Sequence, residues 1–215
     1  MERSDIRYQT YLEILREELV PAMGCTEPIA VAYAAAKVRQ VLGVPPEAID
    51  MAVLRVSGSI IKNVKSVIVP NTGHLKGLEA AVAAGLVAGN ADRELEVLAE
   101  VTPGQQKEIA EYLKILPIEI VHIEEGSVFD IDLCLAAGDA CARIRISDTH
   151  TNIVLLEKNG ENLLQRERHS EAERPEAEKA HRKRRELLCM EGIWDFVNSV
   201  VIEDVEELLE RQIQY

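Results

Sequence analysis

Two runs of strict alternation, separated by a turn signal, constrain the fold of this chain more than any other feature. Residues 128–135 place Phe129, Ile131, Leu133 and Leu135 on one side and Asp130, Asp132 and Cys134 on the other. Residues 140–147 oppose Ile144 and Ile146 to Arg143 and Arg145. Period-two patterning marks strands with one buried face, and Ala136-Ala137-Gly138-Asp139 between them reads as a hairpin turn. Charge pairing favours a register with Asp132 opposite Arg143, Asp130 opposite Arg145 and Cys134 opposite Cys141.

Further strands are expected at 51–57, 66–69, 117–123 and 151–157, from β-branched runs bounded by Gly, Pro or Asn. Helical spacing predicts helices at 5–19, 28–42, 75–88, 93–100 and 103–114. Pro28 suits a first helical turn and Gly43 a stop. Thr102 with Gln105 has the spacing of a capping box. The segments 28–42 and 75–88 are rich in Ala and Gly, so they can approach one another closely or bracket a shared strand. Residues 165–187 are dense in both charges and read as a solvated linker or exposed helix. Amphipathic spacing returns from 188, as two short helices with a break near 201–203. The expected fold class is α+β: Ala-rich helices, a mixed and largely antiparallel sheet, and C-terminal helices. The expected organisation is a core over 1–164, the linker 165–187, and helices over 188–215. The last helix has no C-cap signal before Tyr215, which reads as truncation.

Of 215 residues, 24 are Lys or Arg and 37 Asp or Glu, a net charge of −13. That balance argues against nucleic acid, whose phosphates need a basic face. One Trp, two Phe and five Tyr leave little for base stacking. No apolar leader or membrane-length run is present. A cytoplasmic protein with four reduced cysteines is the expectation.

Three constellations could carry chemistry. In Gly24-Cys25-Thr26-Glu27-Pro28 a thiol precedes a helix N-terminus. The positive end of a helix lowers a thiol pKa, favouring the thiolate for metal ligation or proton abstraction. Glu27 adds an acid or base in the same turn. The plainer reading is a buried free cysteine behind an ordinary cap. In Pro70-Asn71-Thr72-Gly73-His74, amides and a hydroxyl ahead of a helix suit a substrate carboxylate, and Asn63 is a polar candidate just upstream. A capped strand-to-helix turn explains the same residues. Asp148-Thr149-His150-Thr151-Asn152 is either a polar turn or a fragment of a metal site. Cys134 and Cys141 read as small apolar-like side chains, or as ligands whose partners are not identifiable.

Taken in order, the segments 18–30, 57–64, 69–73, 77–89 and 148–154, with the helix around 193–209, resemble the L-cysteine desulfidase family and the related alpha chains of iron–sulfur L-serine dehydratases. The resemblance is most specific around Cys25. It implies an amino-acid lyase that releases pyruvate and ammonia from L-cysteine or L-serine, using a 4Fe–4S cluster and no pyridoxal phosphate. It implies Cys25 as cluster ligand or acid/base group, Glu27 as its catalytic partner, and Thr26, Asn63, Asn71, Thr72, Gly73 and His150 lining the substrate. Chains of that family are much longer, and further cluster cysteines lie in their C-terminal half. A cluster takes three or four thiolates. The resemblance therefore implies a complementary C-terminal half chain or a homo-oligomer, with this chain inactive by itself. A catalytically inactive amino-acid-binding module or remnant is the alternative, and a scaffold that dimerises through its last helices is a third reading.

Overall fold

The computed structural model describes residues 1–19, 21–164 and 183–213. Ile6–Glu18 (α1), Thr26–Leu42 (α2), Met51–Ser57 (β1), Gly58–Val64 (α3), Leu78–Ala88 (α4) and Pro103–Ile115 (α5) come first. Ile118–Ile123 (β2), Asp130–Ala137 (β3), Ala140–Ser147 (β4), Ile153–Lys158 (β5) and Glu161–Asn162 (β6) follow, then Met190–Ser199 (α6) and Glu206–Ile213 (α7). The class is α+β, with a mixed sheet and C-terminal helices. Much of the expected charged segment, residues 165–182, lies outside the described residues.

The sheet order is β2-β1-β3-β4-β5-β6. β1 runs parallel to β2, and every other pair is antiparallel. One face carries Leu54, Val56, Ile131, Leu133, Leu135, Ile144 and Ile146, all fully buried. The Ala-rich α2 is buried almost all round, as a helix enclosed by a core must be. α2 and α4 do pack on one another, and small residues set the spacing. A Cβ added at Gly85 would lie 2.2 Å from the Ala32 carbonyl oxygen and 2.7 Å from Ala35 Cβ.

The expected hairpin register is corrected by two residues. Asp132 pairs with Arg145, Cys134 with Arg143 and Cys141 with Ala136. The ion pairs expected from the sequence form all the same, on the diagonal: Arg143 clasps Asp132 through two bonds of 2.9 and 2.6 Å, and Arg145 clasps Asp130 likewise. The turn decides the register. Residues Gly138 and Asp139 form the loop, with Gly138 at φ +57. Gly in the first of two turn positions is what a type II′ hairpin turn calls for.

Other expectations shift locally. β1 ends before Gly58 as expected, but Gly58 also starts a helix, α3, that the sequence reading did not include. The segment 66–69 contributes one bridge, Ile68 to Lys76, in place of a strand. α4 therefore starts at Leu78 instead of 75. The helix expected at 93–100 is a 3₁₀ turn over Ala91–Glu96, broken by Glu94 at φ +47. The capping box at Thr102 and Gln105 is present.

The chain divides into two compact units, Ala22–Glu167 and a second made of Met1–Pro21 with Arg168–Tyr215. α1 thus groups with the C-terminal helices and not with the core over 1–164 to which the sequence reading assigned it. In that second unit Phe196 meets the rings of Tyr8 and Tyr11 edge-on at 5.3 and 5.4 Å. The Tyr8 hydroxyl donates to Asp204 at 2.6 Å and accepts from the Val201 amide at 3.0 Å. Among the described residues no helix is long and apolar enough to cross a membrane.

Candidate functional site

α2 begins at Thr26, so Cys25 itself is the N-cap residue, in extended conformation. Gly24 before it has φ +66, and a Cβ there would approach Pro70 Cγ to 3.5 Å. The 70–73 loop thus lies against the turn that carries Cys25. The Cys25 thiol makes no capping bond to the helix amides. It donates instead to Glu27 Oε2 at 3.3 Å, and the Thr26 hydroxyl donates to the same oxygen at 3.3 Å. Asn63 Nδ2, from α3, donates to the other oxygen, Glu27 Oε1, at 3.0 Å.

These contacts set the protonation states. Burial pushes the Cys25 thiol up, and its hydrogen bond to the Glu27 carboxylate pushes it further. The backbone N–H of Glu27 acts in the opposite sense but is outweighed. The expectation of a helix-stabilised thiolate is therefore corrected: burial, and after it the carboxylate two residues on, outweigh the helix terminus, and Cys25 rests as a thiol. Glu27 shows the complementary balance. Burial pushes it up, but its own amide, the Cys25 thiol, Asn63 and Thr26 donate to it and hold it below the ordinary carboxylate range.

His150 sits in the turn between β4 and β5, half-buried, with its ring 4.5 Å from that of Phe129. Burial holds its pKa below the usual histidine value, while the Glu27 charge pulls it the other way. His150 is thus within electrostatic reach of Glu27 and rests neutral at pH 7. Phe129, its supporting ring, was not among the expected site residues. The only sequence signal for it was its place on the apolar side of the 128–135 alternation.

The loop residues are partly committed elsewhere. The Thr72 hydroxyl is buried and donates to Val69 O at 2.7 Å. Asn71, at φ +55, donates through Nδ2 to Leu98 O at 3.0 Å. Both side chains shape the loop. Gly73 has φ +68 and a Cβ there would touch the Gln106 side chain at 3.4 Å. The structure therefore brings Cys25, Thr26, Glu27 and Asn63 into one hydrogen-bonded group, sets His150 within its field, and places Asn71, Thr72 and Gly73 in the adjoining loop.

Among the described residues this group offers a 4Fe–4S cluster a single thiol. Cys25 has a carboxylate, a hydroxyl and an amide as its companions, where a cluster takes thiolates. Cys134 and Cys141 belong to the face of the sheet away from α2. Among the described residues no group of three or more His, Cys, Asp or Glu side chains could hold a metal ion.

Proteins similar to this chain carry the name UPF0597 protein. One from Desulfitobacterium hafniense (strain Y51) is 50% identical over 215 residues, 100% of this chain and 48% of the relative. One from Treponema denticola is 40% identical over 212 residues, 97% of this chain and 47% of the relative. One from Lachnoclostridium phytofermentans is 38% identical over 208 residues, with shares of 97% and 48%. The chain spans about half the length of the curated relatives it matches. No family model matches it. The resemblance to L-cysteine desulfidases and iron–sulfur L-serine dehydratase alpha chains is accordingly corrected: the proteins that match this chain along its length are UPF0597 proteins.

Proposed function

We propose that this chain carries the acid–base centre of an amino-acid lyase, one that removes an α-proton and a β-hydroxyl or β-thiol from L-serine or L-cysteine. The observation that carries the reading is the Cys25 thiol hydrogen-bonded to the Glu27 carboxylate at 3.3 Å. The two groups rest in opposite protonation states, as an acid and a base serving one elimination must.

In this reading Glu27 takes the α-proton as its electron pair forms the Cα–Cβ double bond. Cys25 gives its proton to the departing hydroxide or hydrosulfide. That leaves a carboxylic acid beside a thiolate, and transfer of the proton from Glu27 to Cys25 along the existing hydrogen bond restores the starting pair. The released 2-aminoacrylate tautomerises to the imine, which water hydrolyses to pyruvate and ammonia. Asn63 keeps the carboxylate pointed at the thiol, and neutral His150 is available to accept or donate near the substrate. The four cysteines are free, and we place the activity in the reducing cytoplasm.

Because the relatives are about twice as long, the working enzyme in this proposal includes a partner segment equivalent to their other half. A second reading, amino-acid binding without turnover, is favoured by one observation: Glu27 is held below the ordinary range, which weakens it as a base. The test is pyruvate release from L-serine and L-cysteine, under anaerobic conditions. The full chain is assayed alone and co-expressed with a polypeptide covering the remainder of the D. hafniense relative. Turnover that falls by about 100-fold or more in Cys25→Ala and Glu27→Gln supports the lyase. Calorimetric amino-acid binding with no turnover in either preparation supports the binding module. Turnover unchanged in Cys25→Ala sinks both roles for that thiol.

A further inference from the structure

We propose that Cys134 and Cys141 form a two-thiolate site for a soft monovalent metal ion, Cu(I) in chemical class, on the face of the sheet away from α2. The β3–β4 register sets Cys134 opposite Arg143 and Cys141 opposite Ala136, so the two cysteines are diagonal neighbours on one face. They occupy the next step of the ladder that already joins Asp130 to Arg145 and Asp132 to Arg143. Along that diagonal each Arg side chain reaches its Asp, at 2.6–2.9 Å.

The spacing selects the ligand. Diagonal Cα atoms in an antiparallel pair stand ~7–8 Å apart with Cβ atoms closer. A disulfide generally needs a Cα separation below about 6.8 Å. One ion between two thiolates, with bonds of about 2.3 Å each, needs sulfurs only about 4.5 Å apart. Thiolate is also the donor that selects Cu(I) over hard cations.

The surroundings are suited to that complex. Cys141 is exposed and Cys134 half-buried, so an ion has access. Cys141 is fixed in place, its amide donating to Asn159 Oδ1 at 2.8 Å and its carbonyl accepting from the Asn159 amide at 2.9 Å. The hairpin end is fixed too, with the Gly138 amide donating to Asp50 Oδ2 at 2.7 Å. Burial pushes the Cys134 thiol up, and the neighbouring Cys141 adds to this, while Arg55 and Arg143 act against it. Arg55 also lies near enough to offset the single negative charge of a bis-thiolate Cu(I) complex, whereas Arg143 is already paired with Asp132. Formation of the complex releases two thiol protons to solvent, forms two S–Cu bonds and changes no oxidation state.

The test is anaerobic titration of the reduced full chain with Cu(I) against a chromophoric chelator, followed by X-ray absorption at the copper edge. The expected result is one Cu(I) per chain with two sulfur neighbours. Its affinity falls at least about tenfold in Cys134→Ser and in Cys141→Ser, and is unchanged in Cys189→Ser and Cys25→Ser. Affinity unchanged in both sheet variants overturns the proposal. So does a Cys134–Cys141 disulfide that forms when the folded chain stands in air, because it places the two residues closer than the diagonal allows.

Discussion

Asn63 Nδ2 donates to Glu27 Oε1 at 3.0 Å, tying the short helix after β1 to the first turn of the buried Ala-rich helix. The bond joins residues 36 positions apart. It fixes which oxygen of Glu27 is left for the Cys25 thiol. Removing the amide in Asn63→Ala is expected to cost about 1 kcal/mol at neutral pH, with solvent screening allowed for. The pH dependence follows from the carboxyl being held below its ordinary 4.5. Its stabilising contribution is fully present above that value and is lost as pH falls through the lower folded value. In Asn63→Ala the loss should be smaller and complete at higher pH, because only the folded-state value moves back toward 4.5, and urea unfolding midpoints recorded from neutral to acid pH measure it.

His150 gives an independent reading of the same group. Its imidazole should titrate below the ordinary 6.5, because burial opposes the charged form. The Glu27 charge partly offsets that effect, so Glu27→Gln should move the midpoint lower still. Imidazole proton resonances followed against pH report the shift, and an unchanged midpoint would separate His150 from the site.

Asp130 is fully buried while its partner Arg145 is 37% exposed. Asp130→Ala should destabilise the protein by about 2 kcal/mol, less than for a wholly buried pair, because the freed guanidinium can turn to water. A double-mutant cycle with Arg145→Ala in denaturant isolates the coupling between them.

Two glycines should respond in opposite directions to alanine. At Gly85 the new Cβ would meet Ala32 O at 2.2 Å and Ala35 Cβ at 2.7 Å, so α2 and α4 must separate. A loss of about 3 kcal/mol is expected. At Gly104, in the first turn of α5, the closest atom is Thr102 Oγ1 at 3.8 Å. Alanine there should stabilise by about 0.5 kcal/mol, through helix propensity and a stiffer unfolded chain. Thermal unfolding of the two variants side by side tests the packing of the Ala-rich helices.

Local rules recovered what local interactions decide. The Thr102–Gln105 capping box, the limits of β4 and the pairing of Asp130 and Asp132 with Arg145 and Arg143 were all legible. The register was not, because a shift of two residues leaves every side chain on its own face and keeps both ion pairs. Only the choice between loops 137–138 and 138–139 separates the alternatives, and Gly138 fits a turn position in each. α3 was hidden because Gly58, a plausible strand terminator, is also tolerated at a helix start. Around Cys25, the residues were legible and the protonation state was not. The helix terminus predicts a thiolate, but the sulfur is partly buried and Glu27 folds back onto it, and only the three-dimensional arrangement shows that these two effects prevail.

Cys25 rests as a thiol because burial and the Glu27 carboxylate both hold its proton, and the pH profile of Cys25 alkylation tests this most directly. Mass spectrometry of the cleaved chain resolves this cysteine from the other three. The account predicts a midpoint above the ordinary 9.0 in the native protein, and a lower midpoint in Glu27→Gln, where one negative charge and one charged acceptor are gone. A native midpoint below 9.0, or one that Glu27→Gln leaves in place, would contradict it.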